Sequence, residues 1–359
     1  MRVPVPEELT AGVGQLSRRA RASRTRSASQ VRPYAPTPYA RGMTEPRKII
    51  IDTDPGVDDA MAIFYALSSP ELDVVGLTTI FGNATTETTT YNALALLELA
   101  GRPDVPVARG ADTPLVASYG GPVDFVHGAD GQGNAGIAAP TKSAVAQSAA
   151  EFIVRTVMAA PGEITLVPVG PLTNIALAMR LEPRLTENVR EIVLMGGNGF
   201  CPGNVNPSAE ANIWNDPEAA DIVFGAACPI TMAGLDVTHK VQMTSVDLAR
   251  IAAMDNPRAA HLARILPFYV AFHAKNDALD GIYVHDSTAI SYLLTPDAFT
   301  WDEYAIRVDC GHSFGRGKTI PGLGVEQNEK AWAGRTAVRI LTGADSRCLV
   351  EMELSRLGE

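Results

Sequence analysis

Short apolar runs, each followed by a polar or glycine-rich turn and then by a stretch with helical spacing, recur along the chain from Lys48 onward. Uninterrupted apolar runs of this length are typical of strands that are buried on both faces, as in parallel sheets. Their alternation with helical stretches predicts an α/β fold with an open, mostly parallel, doubly wound (Rossmann-like) sheet flanked by helices. The predicted strands of this pattern are residues 49–51, 73–80, 164–169, 192–195, 228–233 and 337–341.

Helices are predicted where apolar residues recur at helical spacing after these strands. A further helix is expected to begin at Asp216-Pro217, with Asp as the N-cap and Pro as the first helical residue. Residues 120–139 are rich in glycine and lack either periodicity, so they are predicted to form a loop. The predicted helices are residues 60–67, 88–100, 172–181, 257–278 and 345–357, and two strands, 305–309 and 317–320, are expected around a glycine-rich turn.

The first strand runs directly into four aspartates, Asp52, Asp54, Asp58 and Asp59, on either side of the turn at Pro55-Gly56. Open α/β sheets bind ligands at the carboxyl ends of their strands, so these carboxylates are expected to share one crevice. Uncompensated carboxylates repel one another, and a hard divalent cation is the simplest compensation. Helix capping is the alternative, but it accounts for only Asp58 and Asp59.

Two other acidic motifs are excluded by spacing. An EF-hand loop that began at Asp52 would need Gly at position 57 and Glu at position 63, where this chain has Val57 and Ile63. A phosphatase of the haloacid dehalogenase type continues its Asp-x-Asp motif with Gly-Thr or a similar pair, where this chain has Pro55-Gly56.

The stretch DTDPGVDDA, which begins at Asp52, resembles the N-terminal signature of the inosine-uridine preferring nucleoside hydrolases. Two further segments resemble signatures of that family in the same order, GNVNPSAEAN from Gly203 and HDSTA from His285. The resemblance covers Lys48 to the C-terminus. It implies one nucleoside hydrolase domain, residues 48–359, and an enzyme that hydrolyses the N-glycosidic bond of ribonucleosides to ribose and free base.

The resemblance also implies Ca²⁺ as the cofactor and a small ribonucleoside as the substrate. A bound water would be activated by Asp54 as the general base, and the transition state would be oxocarbenium-like. His285 would be the acid for a purine leaving group, whereas a pyrimidine could require a different donor. Asp52 is expected to lie behind the ligands. The implied metal ligands are Asp54, Asp59, Asp286 and the Val169 carbonyl. The implied substrate-binding residues are Asp58, Asn83, His127, Met195, Asn204, Glu210, Asn212 and His285.

Without the resemblance, several of these residues have ordinary interpretations. Asn83 suits a turn, His127 a solvated loop, Met195 the core and Asp286 a helix N-cap. The chain also departs from the family pattern at three positions. Gln132 replaces a usual Leu, Ala211 replaces a frequent aromatic residue and His273 stands near a usual Tyr. The preference for purine or pyrimidine nucleosides therefore stays open.

Two other functions stay open at this point. A metal-dependent ribose- or nucleoside-binding protein without catalysis could use the same scaffold. A phosphohydrolase or phosphotransferase would use Asp52 or Asp54 as the nucleophile and would require Mg²⁺.

Residues 1–47 contain nine Arg and three Glu, so their net charge is +6 and the remainder of the chain carries −16 of the total of −10. The acidic body argues against nucleic acid as a partner. The extension is expected to be disordered, and a translation start at Met43 or a non-functional tail is favoured over a targeting peptide. No stretch is apolar enough to span a membrane. The four cysteines form no CxxC pair, which favours the cytoplasm. The resemblance implies a homotetramer or homodimer.

Overall fold

Eight strands form the central sheet of the computed structural model, which describes residues 45–324 and 330–359. Their order is β3-β2-β1-β4-β5-β6-β12-β9, and all neighbours are parallel except the pair of β12 and β9. The predicted doubly wound, mostly parallel sheet is therefore confirmed. The pairs β7-β8 and β10-β11 form two small antiparallel sheets. The strands are β1 Arg47–Thr53, β2 Leu72–Thr79, β3 Val107–Arg109, β4 Thr165–Pro168, β5 Glu191–Met195, β6 Ile230–Ala233, β7 Gln242–Thr244, β8 Gly281–Tyr283, β9 Phe299–Tyr304, β10 Ile306–Val308, β11 Thr319–Pro321 and β12 Val338–Ala344.

Helices cover both faces of the sheet, and each face has its own apolar cluster. Ile49 and Ile51 of β1 belong to one cluster and Ile50 to the other, as expected when successive side chains of a strand point to opposite faces. No described helix is both long and apolar enough to cross a membrane. The helices are α1 Val57–Leu67, α2 Thr86–Leu99, α3 Asp124–His127, α4 Ala149–Ala159, α5 Thr173–Leu181, α6 Leu185–Asn188, α7 Ala211–Asn215, α8 Pro217–Phe224, α9 Leu235–Thr238, α10 Ser245–Ala252, α11 Pro257–Asn276, α12 Asp286–Leu294 and α13 Ser346–Leu357.

Several elements lack a sequence signal that periodicity can detect. Strands β3, β7 and β8 have three residues each, and β9 is exposed along most of its length. Helix α3 lies inside residues 120–139, which were predicted as a loop, and is a single turn. Helix α4 does carry a signal, because Ser148 and Glu151 form a capping box at its start.

Strand β1 lies between β2 and β4, so the chain order of the sheet reverses beside it. Such a reversal opens a crevice at the carboxyl ends of the two adjoining strands. Asp52 and Thr53 end β1, and Val169 follows β4 directly. The acidic stretch therefore reaches the crevice. Residues 1–44, nearly all of the predicted basic extension, lie outside the described residues.

Candidate active site

A cavity of about 530 Å³ lies at this edge of the sheet. Its volume is within the range of small-molecule sites, which is about 300–1,000 Å³. Asp54, in the turn that precedes α1, and Asp59, in the first turn of α1, are buried. The predicted site residues that line the cavity are Asp58, Asn83, His127, Val169, Met195, Asn204, Glu210, Asn212, His285 and Asp286.

Three carboxylates meet at one side of the cavity. Asp58, Asp59 and Asp286 each present an oxygen, and these oxygens lie within 4.8 Å of one another. Asp59 and Asp286 were predicted to share a metal, whereas Asp58 was assigned to the substrate. Asp54 is outside this group of three, although its charge interacts with those of Asp58, Asp59 and Asp286. The structure thus brings together acids that are 227 residues apart in the sequence.

The acids are not neutralised by the protein. No Lys or Arg occurs among the described residues that line the cavity. Burial and then mutual repulsion raise the pKa of Asp59 to about 6 and raise the pKa values of Asp54 and Asp286 well above their usual range. One oxygen of Asp54 and one of Asp58 are buried without a hydrogen-bond partner. Oxygen atoms of this kind fit a hard divalent cation.

Asp54 is held by a close approach of the backbone. The backbone N–H of Asn83 donates a hydrogen bond of 2.7 Å to its Oδ2 atom. A Cβ atom at Gly82 would lie 2.0 Å from Oδ2, and one at Gly170 would lie 2.5 Å from Oδ1. The absence of a Cβ atom at both positions leaves room for the two carboxylate oxygens, and Oδ1 remains without a hydrogen-bond partner.

Asp59 is oriented by neutral donors. Its carboxylate accepts hydrogen bonds from the Thr53 hydroxyl at 2.5 Å, the Gly56 backbone N–H at 2.9 Å and the Asn83 side-chain amide at 3.0 Å. Asn83 therefore contacts two acids, Asp54 through its backbone and Asp59 through its side chain. Asp52 is also buried, and its Oδ1 atom accepts hydrogen bonds from the side chains of Thr78 and Asn174.

Asp58 and His127 lie on the wall formed by α1 and α3. The Tyr269 hydroxyl donates to Asp58 Oδ2 at 3.1 Å, and His127 Nδ1 is 3.8 Å from Asp58 Oδ1. His127 Nδ1 accepts from the Val57 backbone N–H at 3.2 Å. Burial lowers the pKa of His127 to about 4, so this imidazole is neutral at physiological pH. It is a cavity wall residue, not a solvated loop residue.

The GNVNPSAEAN segment holds its polar side chains by backbone contacts. Glu210 accepts from the backbone N–H groups of Gly197 and Asn212, both at 2.9 Å. The Asn212 amide donates to the carbonyls of Val169 at 2.8 Å and Met195 at 3.2 Å. Asn212 therefore orients the carbonyl that was predicted as a metal ligand, and a carbonyl oxygen with one such bond retains a second lone pair.

Aromatic rings and imidazoles line another part of the cavity. His285 Nδ1 is 2.9 Å from the Thr238 hydroxyl, and its ring lies 5.7 Å from that of His239 and 5.8 Å from that of Tyr283. Burial, and then the neighbouring His239, hold the pKa of His285 well below its usual range. The predicted acid is therefore a neutral imidazole at physiological pH, which can donate a hydrogen bond but carries no positive charge.

Sequence reasoning did not assign four aromatic or imidazole side chains that line the cavity, Tyr269, Phe272, His239 and Tyr283. Tyr269 precedes His273 by four residues, so the two share a face of α11, and this spacing was the available signal. His239 follows α9 and Tyr283 is the last residue of β8, and both elements are too short to show periodicity. Only the tertiary fold brings them to the cavity.

A model of the family described as inosine-uridine preferring nucleoside hydrolase matches residues 49–351. The chain belongs to this family. The nucleoside hydrolase is 45% identical to the probable uridine nucleosidase 2 of Arabidopsis thaliana, over 87% of this chain and 98% of the relative. A solved plant nucleoside hydrolase superimposes with a TM-score of 0.84 and 40% identity, over 87% of this chain and 99% of that one.

A second solved structure, a purine-preferring ribonucleoside hydrolase from Gardnerella vaginalis, superimposes on this nucleoside hydrolase with a TM-score of 0.80 and 33% identity. The superposition covers 87% of this chain and 98% of the Gardnerella chain. The predicted family, fold and enzyme class are confirmed by these matches. The names of the relatives include uridine and purine preferences, so family membership leaves the base open.

Proposed function

We propose that this nucleoside hydrolase cleaves ribonucleosides to ribose and free base by attack of a water that Asp54 deprotonates. The observation that carries the proposal is the group of buried carboxylates with unpartnered oxygens beside a cavity of nucleoside size. Such a group attracts both a cation and the positive charge that develops on a ribosyl ring.

Asp54, Asp59, Asp286 and the Val169 carbonyl would hold a Ca²⁺ ion. Bound there, the ion would coordinate the ribose 2′- and 3′-hydroxyls and would lower the pKa of a coordinated water. The grouping of Asp58 with Asp59 and Asp286 supports a place for Asp58 beside the same hydroxyls. Asn83 supports the arrangement, since its backbone N–H donates to Asp54 and its side-chain amide donates to Asp59.

Asp54 suits the role of general base because its two oxygens have different tasks. Oδ2 is fixed by the Asn83 backbone N–H, and Oδ1 has no protein partner. A carboxylate that is desolvated in this way accepts a proton more readily than one in water. The proton of the attacking water would pass to Oδ1.

The leaving base would contact the part of the cavity that is lined by aromatic rings and imidazoles. As the bond from C1′ to the base nitrogen breaks, its electron pair goes to the base, which must gain a proton or a hydrogen bond. His285 would serve there as a neutral donor, and the 2.9 Å contact of its Nδ1 atom with the Thr238 hydroxyl supports this by leaving Nε2 for the base. On the ribosyl side, the carboxylates stabilise the oxocarbenium-like ring.

A panel of inosine, adenosine, uridine and cytidine, incubated with the enzyme and Ca²⁺ and separated by chromatography, tests the proposal. We expect release of free base and of ribose in equal amounts, without added phosphate. Binding of nucleosides without base release would favour the ribose-binding alternative. A requirement for Mg²⁺ and a trapped aspartyl-phosphate would favour the phosphohydrolase alternative.

Two further parts of the proposal concern the setting of the enzyme. All four cysteines are free, which supports a cytoplasmic location. A homotetramer or homodimer is proposed from the family resemblance alone, and light scattering coupled to size-exclusion chromatography measures it directly.

A further inference from the structure

Gln132 is completely buried between the acidic turn and helix α11. Its amide nitrogen lies 3.3 Å from the carbonyl oxygen of Pro55, 3.1 Å from that of Gly56 and 3.0 Å from that of Gly131. Carbonyl oxygens need a donor, so the amide nitrogen must face them. The amide oxygen then points the other way, toward His261.

His261 completes the contact on the side of α11. Its Nε2 atom is 2.9 Å from Gln132 Oε1, which can only accept. Burial lowers the pKa of His261 to about 4, so the neutral ring has one N–H, and that N–H must be on Nε2. The other nitrogen, Nδ1, is buried without a partner. Gln132 is thus the group that satisfies the hydrogen bond of this imidazole.

The loop around Gln132 contacts α11 at two more points. A Cβ atom at Gly133 would lie 2.8 Å from the carbonyl oxygen of Ile265, so only glycine permits this approach. Arg264 donates to the carbonyl of Gly136 at 2.9 Å. Because the same loop is bonded to Pro55 and Gly56, the position of α11 is tied to that of the acidic turn.

Both connected elements carry residues of the site. The turn at Pro55-Gly56 separates Asp54 from Asp58, and α11 carries Tyr269, whose hydroxyl donates to Asp58. We propose that Gln132 and His261 act as a pair of positioning residues that set the distance between the acidic turn and α11, and thereby the cation affinity and ribose contacts of the site. This inference rests on the proposed function.

The pair also explains how this chain tolerates a polar residue at position 132, where the family resemblance leads one to expect Leu. A Leu side chain fills the same space but cannot donate to the turn. In this chain the polar contacts of Gln132 are matched by His261, so a change at either position alone leaves buried groups unpaired.

The test compares the full-length wild type with Gln132→Met, His261→Phe and the double variant. Met preserves the length of the side chain and removes the donors and the acceptor. Ca²⁺ affinity is measured by titration calorimetry, and Tm is measured by scanning calorimetry. The kinetic constants kcat and KM are measured with uridine and inosine as substrates. We expect Gln132→Met to weaken Ca²⁺ binding by about tenfold or more and to raise KM, as is typical when supports behind metal ligands are lost. The double variant should be less impaired than the sum of the two single effects.

Val157→Ala is the matched control, because it removes buried volume from α4 in the other apolar cluster. It should lower Tm and leave Ca²⁺ affinity and KM unchanged. The inference is overturned if Gln132→Met lowers only Tm and keeps wild-type Ca²⁺ affinity and KM. If Gln132→Met does not fold, His261→Phe decides by the same criteria. A wild type that neither binds Ca²⁺ nor releases base would instead overturn the proposed function.

Discussion

Removal and return of the cation should change the stability of this nucleoside hydrolase, because the acids at the site repel one another when no cation is bound. The pKa of Asp59 is raised from 3.8 to about 6. A carboxyl group with a raised pKa in the folded state costs stability as pH rises from the unfolded value toward the folded one. For Asp59 the cost is about 3 kcal/mol at neutral pH, from about 1.4 kcal/mol per pKa unit. Asp54 and Asp286 add to it in the same direction.

A cation present at about 100 times its dissociation constant stabilises a folded protein by about 3 kcal/mol. For a domain of this size, about 2 °C per kcal/mol gives a rise in Tm of about 6 °C. The assay is differential scanning fluorimetry of chelator-treated protein with and without Ca²⁺, at pH 7.5 and pH 5. The shift should be smaller at pH 5, because below the pKa of Asp59 protons compete with the cation.

Asp286→Asn should abolish most of the Ca²⁺-dependent shift, since it removes one member of the acidic group. The exposed Asp297→Asn is the matched control and should keep the full shift. Equal Tm values with and without Ca²⁺ at pH 7.5 would refute the reasoning. So would a shift that is as large at pH 5 as at pH 7.5.

Three further outcomes are expected. Asp54→Asn should reduce kcat by about 10²–10⁴-fold, the usual contribution of a general base, while circular dichroism stays unchanged, and a wild-type rate would contradict the assignment. His285→Ala should slow the release of hypoxanthine from inosine more than that of uracil from uridine, and equal losses measured by chromatography would argue against a purine-specific donor. Glu353→Gln should stabilise the protein by about 3 kcal/mol in urea unfolding at pH 8 and by nothing near pH 4, because burial raises the pKa of Glu353 from 4.5 to about 7. A gain that does not depend on pH would show that this carboxyl does not titrate as its burial requires.

The sequence predicted the parts of the site that are close together along the chain. Asp52 lies at the end of one strand and Asp54, Asp58 and Asp59 follow it, and the position of a strand end in a parallel sheet already implies a crevice. The convergence with Asp286 could be anticipated only through the family resemblance, because no local pattern relates residues so far apart.

Contacts made by side chains across the fold could not be predicted at all. Gln132 and His261 are 129 residues apart, and neither lies in a pattern that distinguishes a buried amide from an exposed one. The double contact of Asn83 depends on the turn geometry after β2. The strand β9 was missed because its residues are mostly exposed, so the apolar signal of a strand is absent.

The protein orients the carboxylates of the site without neutralising their charge. Its carboxylates are oriented by neutral donors such as the Thr53 hydroxyl, the Gly56 N–H and the Tyr269 hydroxyl, which stabilise a negative charge without cancelling it. Glycines at 82 and 170 leave room for the Asp54 carboxylate. Under the proposed function, the neutralising charge comes from outside the protein, as a bound cation and as the ribosyl ring at the moment of bond cleavage. An arrangement that is unfavourable when empty would for this reason be favourable in the proposed transition state.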